Sequence, residues 1–88
     1  MSLTKDAIQV FLAVLDKGSF SAAARSIGRV PSAVSMTIAN LEADLNLELF
    51  DRRGREPLPT TAARALEAKA RFMLQQFELW EAQALALS

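Results

Sequence analysis

Cysteine, histidine and tyrosine are all absent from this chain of 88 residues. Without cysteine there is no disulfide framework and no thiolate metal site; without histidine the commonest metal ligand and general base is gone. No metal or cofactor site is expected. The glycine-rich loop that cradles phosphate in nucleotide enzymes is also missing, so an enzymatic role is not expected either. A basic leader followed by an apolar core is lacking, and no apolar run approaches the roughly 20 residues that span a bilayer. The expectation is a soluble, cytoplasmic chain with no membrane partner. Net charge is missing too: Lys plus Arg number 10 and Asp plus Glu number 10. The bulk positive field typical of nucleic-acid binders is therefore absent. What basic charge there is clusters, because Arg52, Arg53 and Arg55 fall within four positions, whereas residues 1–28 hold only Lys5, Lys17 and Arg25 against Asp6 and Asp16.

A chain of this size makes one small domain that buries only about two thirds of its unfolded surface, which makes a partner surface plausible on stability grounds alone. Thr4 can cap a first helix, with Asp6 in its positive first turn and Ile8, Phe11, Leu12 and Leu15 as its buried stripe; Gly18 stops it. Ser19 restarts the chain as a two-turn, alanine-rich helix over residues 20–27 that Gly28 ends. Pro31 suits the first turn of the next helix, expected over about 31–45, with Asn46 as a left-handed terminator. A short helix, a three-residue turn containing glycine and a second helix make a helix-turn-helix pattern.

That second helix has two unlike faces. Val34, Ile38, Leu41 and Leu45 repeat at helical period and can pack into a core. Opposite them stand Ser32, Ser35, Met36 and Ala39, flanked by Thr37 and Asn40, with no charge at all. In a helix-turn-helix the N-terminal residues of the second helix meet base edges in the major groove, so Pro31, Ser32, Ser35, Met36 and Thr37 are the candidate DNA contacts. Ser21, early in the preceding helix, is a candidate phosphate donor, with a plain capping role as its alternative. Leu47 to Asp51 alternate at period two, a turn follows, and Pro57-Leu58-Pro59 can form only a short edge strand. The result is a two-stranded wing at about 51–57 whose Arg52, Arg53 and Arg55 can reach the minor groove or phosphates.

Thr60 or Thr61 opens a last helix running almost to Ser88. Along it Leu66, Ala70, Met73, Phe77, Trp80, Ala84 and Leu87 are spaced four and three residues alternately, a heptad seam. Leaving Met, Phe and Trp in water forgoes roughly 1.5–3 kcal/mol per large side chain. A long helix after so small a domain can hardly fold back over its whole length, so a second copy is the expected partner. The competing reading is a helical dimerisation or protein-interaction module without specific DNA binding, which the zero net charge favours.

These stretches, namely Phe11 with Gly18-Ser19-Phe20, Ala23-Ala24, Ser32-Ala33-Val34-Ser35, Ile38, Leu41-Glu42, Leu49-Phe50-Asp51-Arg52, Gly54-Arg55 and Thr60, resemble the N-terminal DNA-binding domain of LysR-type transcriptional regulators. The resemblance covers nearly all 88 residues. It implies a mainly α winged helix-turn-helix, three core helices plus wing, over residues 1–59. It further implies a linker helix over 60–88 that pairs two domains antiparallel on double-stranded DNA, reading two half-sites of an interrupted palindrome. The family continues into a periplasmic-binding-protein-like effector domain that takes the small-molecule inducer; this chain is expected to be a fragment without it. Members often have Gln where Pro31 stands, a basic residue at Met36 and more basic residues at Ala39 and Asn40. Glu56 and Leu58 stand in place of wing arginines, and Ala63 in place of a usual glycine. Together these departures imply weak direct readout of bases.

Overall fold

In the computed structural model, which describes residues 3–88, four helices and a two-stranded antiparallel sheet follow in the order α1 (Lys5–Lys17), α2 (Phe20–Ser26), α3 (Pro31–Leu45), β1 (Phe50–Asp51), β2 (Leu58–Pro59) and α4 (Thr61–Leu87). The first two residues of the domain expected at 1–59 lie outside the described residues. Every helix start but one is made by a side-chain oxygen: Thr4 accepts from the Ala7 amide, Ser19 from Ala22 and Thr60 from Ala63. Each satisfies a donor that the first turn leaves without a helical partner. α3 has Pro31 there instead, after an extended Val30 that offers no side-chain cap.

The stops are equally local. Gly18, Gly28 and Asn46 have positive φ of 75°, 70° and 53°. At the last two the chain closes a Schellman turn, with Arg29 N–H donating to the Ala24 carbonyl and Leu47 N–H to that of Glu42. α2 itself ends at Ser26, one residue earlier than expected, because Ile27 already leaves helical geometry to enter this turn.

α1 sits at the centre. Beyond the expected Ile8, Phe11 and Leu12 it also buries Ala7, Val10, Ala13 and Val14, leaving Leu15 half-buried. The reason is that α2, α3 and α4 all pack on it, so it needs apolar surface on several sides rather than one stripe. Ala23 and Ala24 of α2, Val34, Ile38 and Leu41 of α3, Leu49, Phe50 and Ala63 complete the core. No polar side chain is buried among the described residues.

The wing strand is shorter than the alternation at residues 47–51 predicts. Only Phe50 and Asp51 pair, opposite Pro59 and Leu58 respectively, and the adjacent Leu49 and Phe50 are both buried. The physical cause is Glu42 at the end of α3. Its Oε2 accepts from the amides of Leu49 (2.7 Å) and Phe50 (3.3 Å), so these donors are spent on a side chain instead of a ladder.

α4 runs antiparallel along α1, pinned by Arg71–Asp16 at 2.7 Å and Lys5–Glu81 at 2.5 Å. Folding back goes further than its length suggested. Ala63 and Ala70 are buried and Leu74 is half-buried, so the first half of α4 shares the core of the domain expected at 1–59. No helix among the described residues is long and apolar enough to cross a membrane.

Candidate nucleic-acid interface

α3 is held by one side only. Val34 and Ile38 are fully buried and Leu41 nearly so, which leaves Pro31, Ser32, Met36, Ala39 and Asn40 exposed, with Ser35 and Thr37 half-buried at the edges. Met36 alone exposes 62% of its surface. The Ser32 and Ser35 hydroxyls have no intramolecular hydrogen bond among the described residues, whereas Thr37 Oγ1 donates to the Ala33 carbonyl at 3.0 Å. Thr37 can therefore accept from a ligand but has already used its proton. The face is uncharged, shallow and free, suited to entering a groove with small polar atoms and a thioether.

Three neighbouring arginines have three different situations. Arg52 turns inward: its Nη2 donates to Glu42 Oε1 at 3.3 Å and its guanidinium lies 4.7 Å from the centre of the Phe20 ring. Phe20 in turn meets Phe50 edge-on at 6.3 Å, and Phe50 meets Phe11 at 5.9 Å. Arg52 is thus part of a brace between α2, α3 and the wing, not an extended arm. Arg53 is 91% exposed, yet its Nε and Nη2 donate to both Asp51 oxygens, at 3.0 and 2.7 Å. Its backbone N–H adds a further bond to Asp51 Oδ1 at 3.0 Å. These donors hold the Asp51 carboxyl well below the usual range, at about 2. Arg55 has no ion-pair partner among the described residues.

Two features escaped sequence reasoning. Glu42 ties the wing to the end of α3, and nothing local announces that, since its partners lie seven to ten residues away. Arg25 is exposed, unpaired among the described residues and one turn beyond Ser21 on α2. The i, i+4 spacing put both on one face and was the available signal. Another cation near this end, Arg29, is paired with Asp6, whose carboxyl it holds below its ordinary value. The cleft between α3 and the wing is lined by Glu42, Glu48 and Asp51 as well as Arg52 and Arg53, so it is no anion cradle.

Replacing Glu42 by Ala strips two part-buried amides and Arg52 of their acceptor. The expected cost is about 1.5–3 kcal/mol in urea unfolding, the range for hydrogen bonds to a charged group. Hydrogen exchange at Leu49 and Phe50 should accelerate ahead of exchange in α1.

The seam residues divide along α4. Leu66, Ala70 and Met73 border the chain's own core beside Ile8, Phe11, Leu41 and Leu49. Phe77 is 37% exposed, Trp80 is 70% exposed, and Ala84 and Leu87 are exposed. Phe72, Met73, Phe77 and Trp80 together line an open apolar groove.

Residues 6–64 match the sequence family described as bacterial regulatory helix-turn-helix protein, lysR family. The chain is 54% identical over 88 residues to the HTH-type transcriptional regulator AceR of Acinetobacter baumannii, covering 100% of this chain and 30% of that protein. Among solved structures it is similar to Vibrio fischeri DarR in complex with DNA, with a TM-score of 0.90 at 26% identity over 99% of this chain and 30% of that one. It is also similar to the CbnR_DBD-DNA complex, with a TM-score of 0.88 at 26% identity over 97% of this chain and 98% of that one. This chain therefore spans less than a third of the length of AceR and DarR.

Proposed function

This chain belongs to the LysR family of bacterial regulatory helix-turn-helix proteins, and we propose that it is the sequence-specific DNA-binding domain of a dimeric transcriptional regulator. The observation that carries this reading is the outer face of α3, uncharged and exposed beside a stripe that is wholly buried. In the proposal Pro31, Ser32, Ser35, Met36 and Thr37 meet base edges and backbone in the major groove, with Ser21 and Arg25 at phosphates of the flanking strand. The wing supplies Arg55 outward and Arg53 when Asp51 releases it, while Arg52 positions the wing. Two copies pair through the seam of α4, residues 60–88, so that the two domains face successive half-sites. Relatives are regulators rather than enzymes by name. Inducer binding is assigned to the part of the longer protein outside this chain, and the site of action to the cytoplasm, where DNA is accessible.

The face of α3 is tested by selecting genomic fragments with the domain, footprinting them, and comparing Ser35→Ala/Met36→Ala with wild type. Loss of base contacts should weaken selected sites roughly tenfold or more. Random-sequence duplex should bind as before, because its affinity comes from the phosphate backbone. Equal affinity of the two proteins for selected sites would reject the face. Absence of any DNA affinity across a salt series would leave the protein-interaction reading standing instead.

A further inference from the structure

The end of the molecule that carries the reader face is nearly self-neutralised. Arg29 is paired with Asp6, Arg52 with Glu42 and Arg53 with Asp51, which leaves Arg25 and Arg55 as its arginines without ion-pair partners among the described residues. The Arg53 pair differs from the other two. Arg29 and Arg52 each bridge separate elements and are partly shielded, whereas Arg53 and Asp51 sit two residues apart on the wing, with the guanidinium almost wholly in solvent. Nothing in the packing of the fold requires that pairing. Its geometry is that of ligand recognition: a carboxylate spans the Nε–Nη2 edge of the fork, the arrangement by which arginine also takes a phosphate.

Resting on the DNA-binding reading, we propose that Asp51 is a specificity-determining residue, an internal competitor that occupies Arg53 and thereby suppresses sequence-independent attraction to DNA phosphate. Phosphate contacts add affinity for every sequence alike, whereas base contacts discriminate. A reader face as weakly polar as Ser32, Ser35 and Met36 would be swamped by a strongly basic wing. With Asp51 in place the Arg53 pair is neutral, so touching a phosphate through its outer edge releases no counterion. The Asp51 carboxyl ionises with a value of about 2, so the competitor is present throughout the physiological range. Once a correct site holds α3 in register, a phosphate brought against the wing can displace Asp51, because an exposed ion pair contributes little.

The test is a double-mutant cycle of Asp51→Asn and Arg53→Gln, with affinity for random-sequence duplex measured across a salt series. Asn is isosteric and its carbonyl oxygen can still accept the Arg53 backbone bond. Asp51→Asn should tighten binding about two- to fivefold at low salt, the range for losing one exposed pair. It should also steepen the dependence of log K on log salt by about 0.9, one phosphate's share, so that a fourfold rise in salt erodes roughly 3.5-fold of the gain. Arg53→Gln alone leaves the Asp51 carboxylate uncompensated and should weaken random-duplex binding modestly, and the gain from Asp51→Asn should be clearly smaller in its presence than in the wild-type background. An unchanged slope in Asp51→Asn overturns the proposal. So does an equal gain in the Arg53→Gln background, which would assign the effect to simple repulsion by the carboxylate. If the wild type and all three variants fail to bind duplex at any salt, the DNA reading itself falls and takes this one with it.

Discussion

Trp80→Ala and Phe77→Ala are expected to convert dimer to monomer while leaving the monomer's fold nearly as stable as before. In the single chain Trp80 keeps 70% of its surface in water and Phe77 keeps 37%, and neither is among the residues packed against the core. Pairing through α4 would bury both. Truncating a fully buried Phe or Trp costs about 3–5 kcal/mol. At 1.4 kcal/mol for each tenfold, the dimer dissociation constant should rise by more than about a hundredfold. Large aromatic anchors near the centre of an interface are where such losses concentrate. Leu85 is the control. It is 75% exposed but lies roughly 140° around the helix from Trp80, off the seam, and its replacement by Ala should leave association unchanged. Sedimentation velocity over a concentration series reads all three variants. A wild-type chain that stays monomeric at every concentration would mean that the seam does not pair two copies.

Ile38→Ala is expected to destabilise the fold by about 2–5 kcal/mol, the cost of deleting a large aliphatic group from a site that cannot collapse. Ile38 has no solvent exposure and sits where α3 meets α1 and the rest of the core. Small domains have only about 5–15 kcal/mol in total, with short chains toward the low end. A large part of the population should therefore unfold on modest heating. Met36 stands two residues earlier on the same helix, exposed, and its replacement by Ala should shift stability by no more than about 0.5 kcal/mol. Urea unfolding of both variants checks this contrast. A lower midpoint with unchanged slope for Ile38→Ala, and no shift for Met36→Ala, is the expected outcome. Comparable losses in both would mean that α3 is not held by one face alone.

Helix boundaries were readable from the chain because their causes are short-range. Thr4, Ser19 and Thr60 reach amides three residues on, Gly18, Gly28 and Asn46 take a backbone conformation that other residues resist, and Pro31 enters a first turn where it loses nothing. The two faces of α3 were readable for the same reason, since helical period puts Val34, Ile38 and Leu41 together whatever they pack against. Val10 and Val14 were missed because their burial depends on how many elements surround α1. The wing strand came out short because Glu42 takes the amides of Leu49 and Phe50 across seven and eight residues.

Charge divides in the same way. Composition and position show at once that the total is zero and that arginines crowd the wing. Which of them is available is a three-dimensional matter. Arg52 is turned inward by Glu42 ten residues away and by the Phe20 ring, and Arg71 and Lys5 are engaged by partners 55 and 76 residues distant. Likewise the heptad on α4 announces a seam, but only packing decides that Ala70 lies against the chain's own core while Trp80 is left in water. Periodicity and capping act within a turn or two of chain, so residue order determines them. Pairing and burial depend on which distant segments arrive at the same place, and that is settled only when the helices close on α1.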